Sequence, residues 1–313
     1  MALNLILGVD AGCNGVKVVG PRGALDFPSI TIVEPPAMMK FGNALGIKNK
    51  FELTVENEAY ILGEHAEFLE QFNAIGGIDR LAAGTKNDES AFIRAFGGIC
   101  QYIDNYEKFD DEDVNIYFAY GSPIVNATSD KEVSDIENYF KNDGKPHNLI
   151  YNGQNLNIYI KDIIVLPEGA AAFFSTDFDF ERVYIVDAGS QTINLAALVN
   201  GIPVPTGADT IPNGVEYYKK MYPNRAADML AKKIKSSVES LRWPEGSTLH
   251  VCGGFALELA TAFNDQKNNV YTMELMKPEL PMSRKSKPLE PIFANAAGLY
   301  FIAKEAFSTT VKG

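Results

Sequence analysis

Residues 5–17 read LILGVDAGCNGVK, an apolar stretch that ends at Asp10 and enters a glycine-rich turn. Residues 183–195 repeat this pattern as VYIVDAGSQTINL, with Asp187 lying 177 positions after Asp10. A single unit of this kind could be an ordinary β-hairpin turn, because Asp-Gly-type sequences are common in such turns. Two units that echo each other predict a duplicated fold in which both halves bind one ligand.

Both loops carry residue types suited to a phosphate group and its metal ion. Glycines let the backbone turn tightly and bring its N–H groups close to an anion. Hydroxyl or thiol side chains add donors, and Lys17 can supply positive charge. A carboxylate repels phosphate but can hold Mg²⁺ or its waters, which is the role expected of Asp10 and Asp187. The other candidate binding residues of the loops are Gly12, Cys13, Asn14, Gly15, Gly189, Ser190, Gln191 and Thr192.

Length, charge and composition exclude several classes of protein. A chain of 313 residues with 46% hydrophobic and 22% charged residues suits two globular domains. The net charge of −12 argues against direct nucleic-acid binding but leaves binding through a basic adaptor open. Three scattered cysteines without a CxxC motif predict neither a disulfide framework nor a cysteine metal site, and favour a reducing cytoplasm. Neither a signal peptide nor a membrane span is expected, and three histidines in unrelated contexts do not favour histidine-based catalysis.

The periodicity of apolar residues predicts strands alternating with helices, which is typical of an α/β architecture. Helices are expected over residues 90–106 and 130–142, and two strands over residues 155–166. Pro167 and Gly169 then break the chain around Glu168. We therefore expect the domain boundary near Pro167.

The order of these motifs resembles that of a known family. A first phosphate loop, Glu168, a second phosphate loop, Gly253-Gly254 and a closing helix with ANAAG at residues 294–298 follow one another. This order resembles the actin-like ATPase superfamily and, within it, the bacterial and plasmid actin-like proteins of the ParM type. The resemblance implies an α/β, actin-like (ribonuclease H-like) duplicated two-domain fold with a nucleotide cleft between the domains. Domain I would comprise residues 1–167, with helix 292–307 packing back on it, and domain II residues 168–291.

The resemblance also implies roles for residues of the two loops. Asp10 and Asp187 would hold Mg²⁺, and Asp187 would also belong to the catalytic group. Lys17 matches the lysine that reaches the phosphates in actin. Cys13 stands where the family usually has Ser or Thr, and Asn194 where it often has Asp or His.

Three further features extend the implied site. Glu168 corresponds to the glutamate that orients or deprotonates the attacking water, although a glutamate stabilised by a helix dipole is the alternative. Gly253, Gly254 and Phe255 follow a strand and would let the backbone approach an adenine ring, with a plain strand-to-helix turn as the alternative. Glu216 and Lys219 would contact the ribose, unless they are ordinary solvated helix charges.

By this resemblance the protein would be a cytoplasmic ATPase that forms filaments with ATP, or alternatively GTP, and Mg²⁺. Hydrolysis would trigger disassembly, and a ParR-like adaptor bound to DNA would link the filament to plasmid segregation. Neither direct nucleic-acid binding nor membrane binding is expected. Two alternatives stay open: a small-molecule kinase of the same superfamily, and a non-polymerising nucleotide-sensing scaffold, which the departures at Cys13 and Asn194 favour.

Overall fold

The chain divides into two compact units in the computed structural model. Unit 1 comprises Met1–Val165 and Ile302–Gly313, and unit 2 comprises Leu166–Phe301. The structure describes residues 3–33, 51–71, 79–80, 88–107, 113–178, 181–280 and 288–311. In these ranges no helix is both long enough and apolar enough to cross a membrane.

Within its described residues, unit 1 contains a ten-stranded mixed sheet. The strands are β1 Leu3–Ala11, β2 Gly15–Gly20, β3 Gly23–Pro28, β4 Thr31–Val33, β5 Glu52–Val55, β6 Glu58–Leu62, β7 Asp79–Arg80, β8 Asp113–Ser122, β9 His147–Tyr151 and β10 Gln154–Pro167. Their order across the sheet is β3-β2-β1-β8-β10-β9-β5-β6-β4-β7. β1 pairs antiparallel with β2 and parallel with β8, so the first glycine-rich loop lies between paired strands.

The described part of unit 1 contains four α-helices, three of which pack buried apolar residues against the sheet. They are α1 Gly63–Gln71, α2 Glu89–Tyr106, α3 Ile124–Ala127 and α4 Asp130–Lys141. The side chain of Asp88 caps α2 by accepting a hydrogen bond from the Ala91 N–H, which satisfies an otherwise unpaired donor of the first turn. Both helices predicted in this region are confirmed, within one residue of their expected bounds.

The prediction of two strands over residues 155–166 is wrong. A single 14-residue strand, β10, runs from Gln154 to Pro167. The chain reverses earlier, at Asn152-Gly153, where both residues have positive φ values of 48° and 86°. This is the asparagine–glycine turn typical of hairpins, and it pairs β10 antiparallel with β9.

Unit 2 contains a second sheet, six-stranded in its described part. The strands are β11 Arg182–Ala188, β12 Ile193–Val199, β13 Ile202–Pro203, β14 Asp209–Ile211, β15 Thr248–Cys252 and β16 Thr272–Leu275. The order is β13-β12-β11-β15-β16, and β14 also pairs with β12. The helices are α5 Val215–Met221, α6 Ala226–Ser240, α7 Ala256–Asn264 and the first part of α8 Ala294–Val311, whose residues from Ile302 onward belong to unit 1. Two short 3-10 turns, Ala171–Ser175 and Pro291–Phe293, precede β11 and α8.

The two sheets repeat one pairing scheme around their aspartates. β11 pairs antiparallel with β12 and parallel with β15, as β1 does with β2 and β8. The register sets Asp10 opposite Lys17 and Asp187 opposite Asn194. The duplication expected from the sequence is therefore present in the strand pairing. The residue opposite the aspartate is a cation, Lys17, in the first sheet and a neutral amide, Asn194, in the second.

Candidate functional site

The first loop lies in unit 1 and is tightly folded on itself. A Cβ on Gly12 would come within 2.7 Å of the Gly15 carbonyl oxygen, so no larger residue fits without a shift of the backbone. Lys17 Nζ donates a hydrogen bond of 3.0 Å to the same carbonyl. Asp10 is buried at the end of β1. The predicted residues of this loop are thus brought together in one hairpin.

Ser29 is a residue of this loop region that the sequence did not indicate. Its hydroxyl donates to the Gly12 carbonyl oxygen, and its N–H donates to the Asn14 carbonyl oxygen at 3.2 Å. Two carbonyl groups of the loop are therefore held by one buried residue from outside the loop. Nothing in the local sequence around Ser29 distinguishes it from other turn serines.

Arg94, on α2, is a second residue that sequence analysis missed. Its side chain is fully buried, and its Nη1 donates to the Ser90 hydroxyl. Its Nε and Nη2 have no hydrogen-bond partner in the part of the chain that the structure describes. Burial lowers the pKa of the guanidinium, and interactions with Tyr120, Asp88 and Cys13 oppose that shift. The buried Arg94 side chain therefore has Cys13 of the first loop among its electrostatic partners. The signal available in the sequence was an arginine within the apolar face of a predicted helix.

The second loop, in unit 2, has the same fold as the first. A Cβ on Gly189 would lie 2.6 Å from the Thr192 carbonyl oxygen, three residues on, as Gly12 does with Gly15. Asp187 is buried at the end of β11, like Asp10 at the end of β1. The two loops thus share a backbone geometry as well as a sequence pattern.

The start of α5 holds the second loop by backbone hydrogen bonds. The N–H groups of Gly214, Val215 and Glu216 donate to the carbonyl oxygens of Gln191, Gly189 and Ser190, at 2.7, 3.0 and 3.1 Å. Glu216 is therefore next to the loop, while its side chain and that of Lys219 are exposed.

Gly253, Gly254 and Phe255 follow β15 and lead into α7. Because Cys252 pairs with Asp187 across β15 and β11, this turn begins beside the second loop. Lys219 Nζ lies 5.1 Å from the centroid of the buried Phe255 ring, a cation–π distance. Lys219, which was predicted to contact the ribose, and Phe255, which was predicted to lie near the adenine ring, are therefore neighbours.

A buried polar cluster joins the segment after Glu168 to the second loop. Asn295 donates from Nδ2 to Asp187 Oδ2 at 3.0 Å, and its Oδ1 accepts from the Gly169 N–H at 3.0 Å. Nearby, the Thr210 hydroxyl donates to Asn194 Oδ1 at 3.0 Å. Glu168 itself is half-buried. Asn295 had no role assigned from sequence, because a single amide in an alanine-rich helix carries no local signal.

The donor set suits Mg²⁺ held mainly by oxygen atoms of a ligand. No group of three or more His, Cys, Asp and Glu side chains within the described ranges could hold a metal ion alone. Each loop instead offers one buried carboxylate, Asp10 or Asp187. Mg²⁺ commonly binds one or two carboxylates and completes its shell with phosphate and water oxygens, so these residues fit that ion.

Comparison with known proteins agrees with this architecture. A sequence model for the family described as actin-like proteins, N-terminal domain, matches residues 8–170. The crystal structure of apo psk41 ParM is 14% identical, with a TM-score of 0.73 over 100% of both chains. The AlfA filament bound to AMPPNP is 18% identical, with a TM-score of 0.66 over 99% of each chain. A 15-stranded ParM filament from Clostridium botulinum is 17% identical, with a TM-score of 0.67 over 97% of this chain and 100% of that chain.

No sequence among the curated proteins matches the chain. The structural similarities span nearly its whole length and show that it has the actin-like fold, which confirms the prediction from the motif order. The family match covers more than half of the sequence and includes the first glycine-rich loop and Glu168. The chain therefore belongs to the family of actin-like proteins.

Proposed function

We propose that this protein is an ATP-dependent, filament-forming actin-like protein that hydrolyses its nucleotide. The observation that carries the proposal is the pair of matched loops, each with a buried aspartate at a strand end and a glycine folded onto the carbonyl three residues on. Two of the similar structures are themselves filaments, and one of them contains AMPPNP.

In this proposal the loops bind the phosphates of the nucleotide. Backbone N–H groups of residues 12–15 and 190–192 donate to phosphate oxygens, Gly189 lets the second loop turn tightly, and Lys17 adds positive charge. Asp10 and Asp187 would hold Mg²⁺, which would neutralise negative charge on the phosphates. Gly253, Gly254 and Phe255 receive the adenosine, with Glu216 and Lys219 directed to the ribose.

Glu168 is the proposed residue for hydrolysis. Phosphoryl transfer depends on positioning and charge neutralisation, so a carboxylate that orients the attacking water is enough to accelerate it. The Gly169 N–H is held by Asn295, which limits the positions that the neighbouring Glu168 can occupy. Asp187, whose carboxylate accepts a hydrogen bond from the Asn295 amide, is the second proposed catalytic residue.

The polymer would form by head-to-tail contacts between copies of the chain, because heterologous contacts that do not close on themselves produce filaments. We propose that hydrolysis weakens these contacts and so triggers disassembly. The net charge of −12 is unsuited to direct DNA binding, so plasmid DNA would be reached through a basic ParR-like adaptor in the cytoplasm. ATP is the proposed nucleotide, and GTP is the alternative.

Assembly and phosphate release test the proposal together. Purified protein is sedimented and imaged by negative-stain microscopy with Mg·ATP, Mg·GTP, Mg·ADP or no nucleotide. We expect filaments above a critical concentration with a triphosphate, and phosphate release that rises steeply above the same concentration. Phosphate release that is linear in protein and requires an added sugar or acid acceptor would show a small-molecule kinase instead. Nucleotide binding without assembly or turnover would show a nucleotide-sensing scaffold.

A further inference from the structure

Asn295 uses both ends of its amide inside unit 2. The residue is the second of α8 and is only 8% exposed. Its Nδ2 donates to Asp187 Oδ2 and its Oδ1 accepts from the Gly169 N–H, both at 3.0 Å. One side chain thus connects the second-loop aspartate to the backbone that follows Glu168.

The chemistry of the two partners makes this arrangement specific to an amide. A backbone N–H only donates and an ionised carboxylate only accepts, so the bridging side chain must accept at one end and donate at the other. Asparagine does both at this length. Aspartate lacks the donor and would face Asp187 with a second negative charge, and alanine provides neither group.

The backbone around Asn295 is fixed by close packing. One turn further along α8, a Cβ on Gly298 would overlap the carbonyl oxygen of Ala171, so the helix lies directly against the segment that follows Gly169. Asn295 therefore holds its two partners from a rigid position rather than from a mobile side chain on the surface.

We infer that Asn295 is a positioning residue, which fixes the Asp187 carboxylate and the Glu168–Gly169 backbone in one arrangement. The inference rests on the proposed function, since it takes Asp187 to bind the metal ion and Glu168 to orient the attacking water. Residues that orient a metal-bound carboxylate commonly change metal affinity by about 10- to 100-fold when they are removed. Asn295 would therefore affect both the binding of Mg·nucleotide and the rate of hydrolysis, without contacting either reactant.

The test compares Asn295→Ala with a matched control, Asn264→Ala. Asn264, on α7, also uses both ends of its amide, donating to the Met273 carbonyl and accepting from the Met273 N–H at 2.8 Å each. Both variants lose two hydrogen bonds, but only one of them touches the proposed site. Three quantities are measured for each: the unfolding midpoint without ligand, the Mg·ATP affinity by calorimetry, and the turnover at saturating Mg·ATP.

We expect Asn295→Ala to weaken Mg·ATP binding by about 10- to 100-fold and to lower turnover by at least about tenfold. Asn264→Ala should leave both within about twofold of the wild type while lowering the unfolding midpoint. Wild-type affinity and turnover in a folded Asn295→Ala protein would overturn the inference, as would equal losses in Asn264→Ala. A wild-type protein that does not bind Mg·ATP would overturn the proposed function itself.

A reciprocal exchange tests the contact without relying on activity. Asn295→Asp alone places two carboxylates together and should lower the unfolding midpoint. Adding Asp187→Asn restores a donor opposite the new carboxylate, which can still accept from the Gly169 N–H, so the midpoint should return toward that of the wild type. Mg·ATP affinity should stay low, because position 187, at the end of β11, no longer carries a carboxylate. A double variant no more stable than Asn295→Asp would overturn the inferred contact.

Discussion

Glu168 is the residue at which nucleotide binding and hydrolysis should separate. Its proposed task is to position water, a contact made mainly in the transition state, so its removal should lower turnover and leave ground-state binding largely intact. General-base groups contribute about 10²–10⁴-fold, and we expect Glu168→Ala to hydrolyse ATP at least about tenfold more slowly. Phosphate release and Mg·ATP affinity measured on the same preparation check this, together with the lifetime of filaments, which should increase.

The matched control is Glu245→Ala, which removes an exposed carboxylate outside every proposed binding segment. Its turnover, affinity and filament lifetime should equal those of the wild type. If folded Glu168→Ala hydrolyses ATP and disassembles at wild-type rates, Glu168 has no part in the reaction, and the alternative of a glutamate stabilised by a helix dipole is favoured.

At the scale of elements, His147 joins α4 to β9. Its Nε2 lies 2.7 Å from the Phe140 carbonyl oxygen, and because a carbonyl only accepts, this nitrogen carries the proton. The ring packs against Phe96, with 4.6 Å between centroids. Burial lowers the pKa of His147, while the Phe140 carbonyl and the Glu56 carboxylate oppose the shift. The neutral imidazole is therefore part of the native connection between the two elements.

This lowered pKa makes stability depend on pH in a defined direction. Between the folded pKa and the unfolded value of about 6.5, the unfolded chain binds a proton that the native chain does not. The free energy of unfolding should thus fall as pH decreases below about 6.5, by at most about 1.4 kcal/mol per pH unit for this group. Urea unfolding at pH 7.5 and 5.5 should show a smaller difference in His147→Gln than in the wild type. Burial also lowers the pKa of His250, which accounts for a further part of the pH dependence. If the difference between the two pH values is the same in His147→Gln as in the wild type, His147 does not cause it.

At the scale of the whole molecule, the proposed function requires the buried aspartates of both units, Asp10 and Asp187, to bind the same Mg·nucleotide. Ligand that binds only the native state raises stability, and a tenfold loss of affinity removes about 1.4 kcal/mol of that gain at saturation. We expect Asp10→Ala and Asp187→Ala each to weaken Mg·ATP binding by at least about tenfold. Calorimetry and the rise in unfolding midpoint with Mg·ATP give two independent measures. Unchanged affinity in both variants would show that the two loops do not share one ligand.

Much of the fold and the family could be predicted from local patterns. The two strand–aspartate–glycine units, the breaks at Pro167 and Gly169, and the Gly253-Gly254 turn each depend on a few neighbouring residues with distinct backbone preferences. The same local reasoning failed for residues 155–166, where the hairpin turn lay earlier, at Asn152-Gly153, and left one long strand. Periodicity identifies a strand more readily than it identifies where the strand begins.

The sequence by itself determined the duplicated loops, the motif order and, through them, the actin-like family. Only the tertiary structure decided which residues support those loops: Ser29 on the first, the start of α5 on the second, and Asn295 between Asp187 and Gly169. The physical reason is distance along the chain. A glycine or proline acts on its own backbone and shows itself locally, whereas Asn295 lies 108 residues from Asp187, and its amide gains a function only when packing of α8 brings the two together.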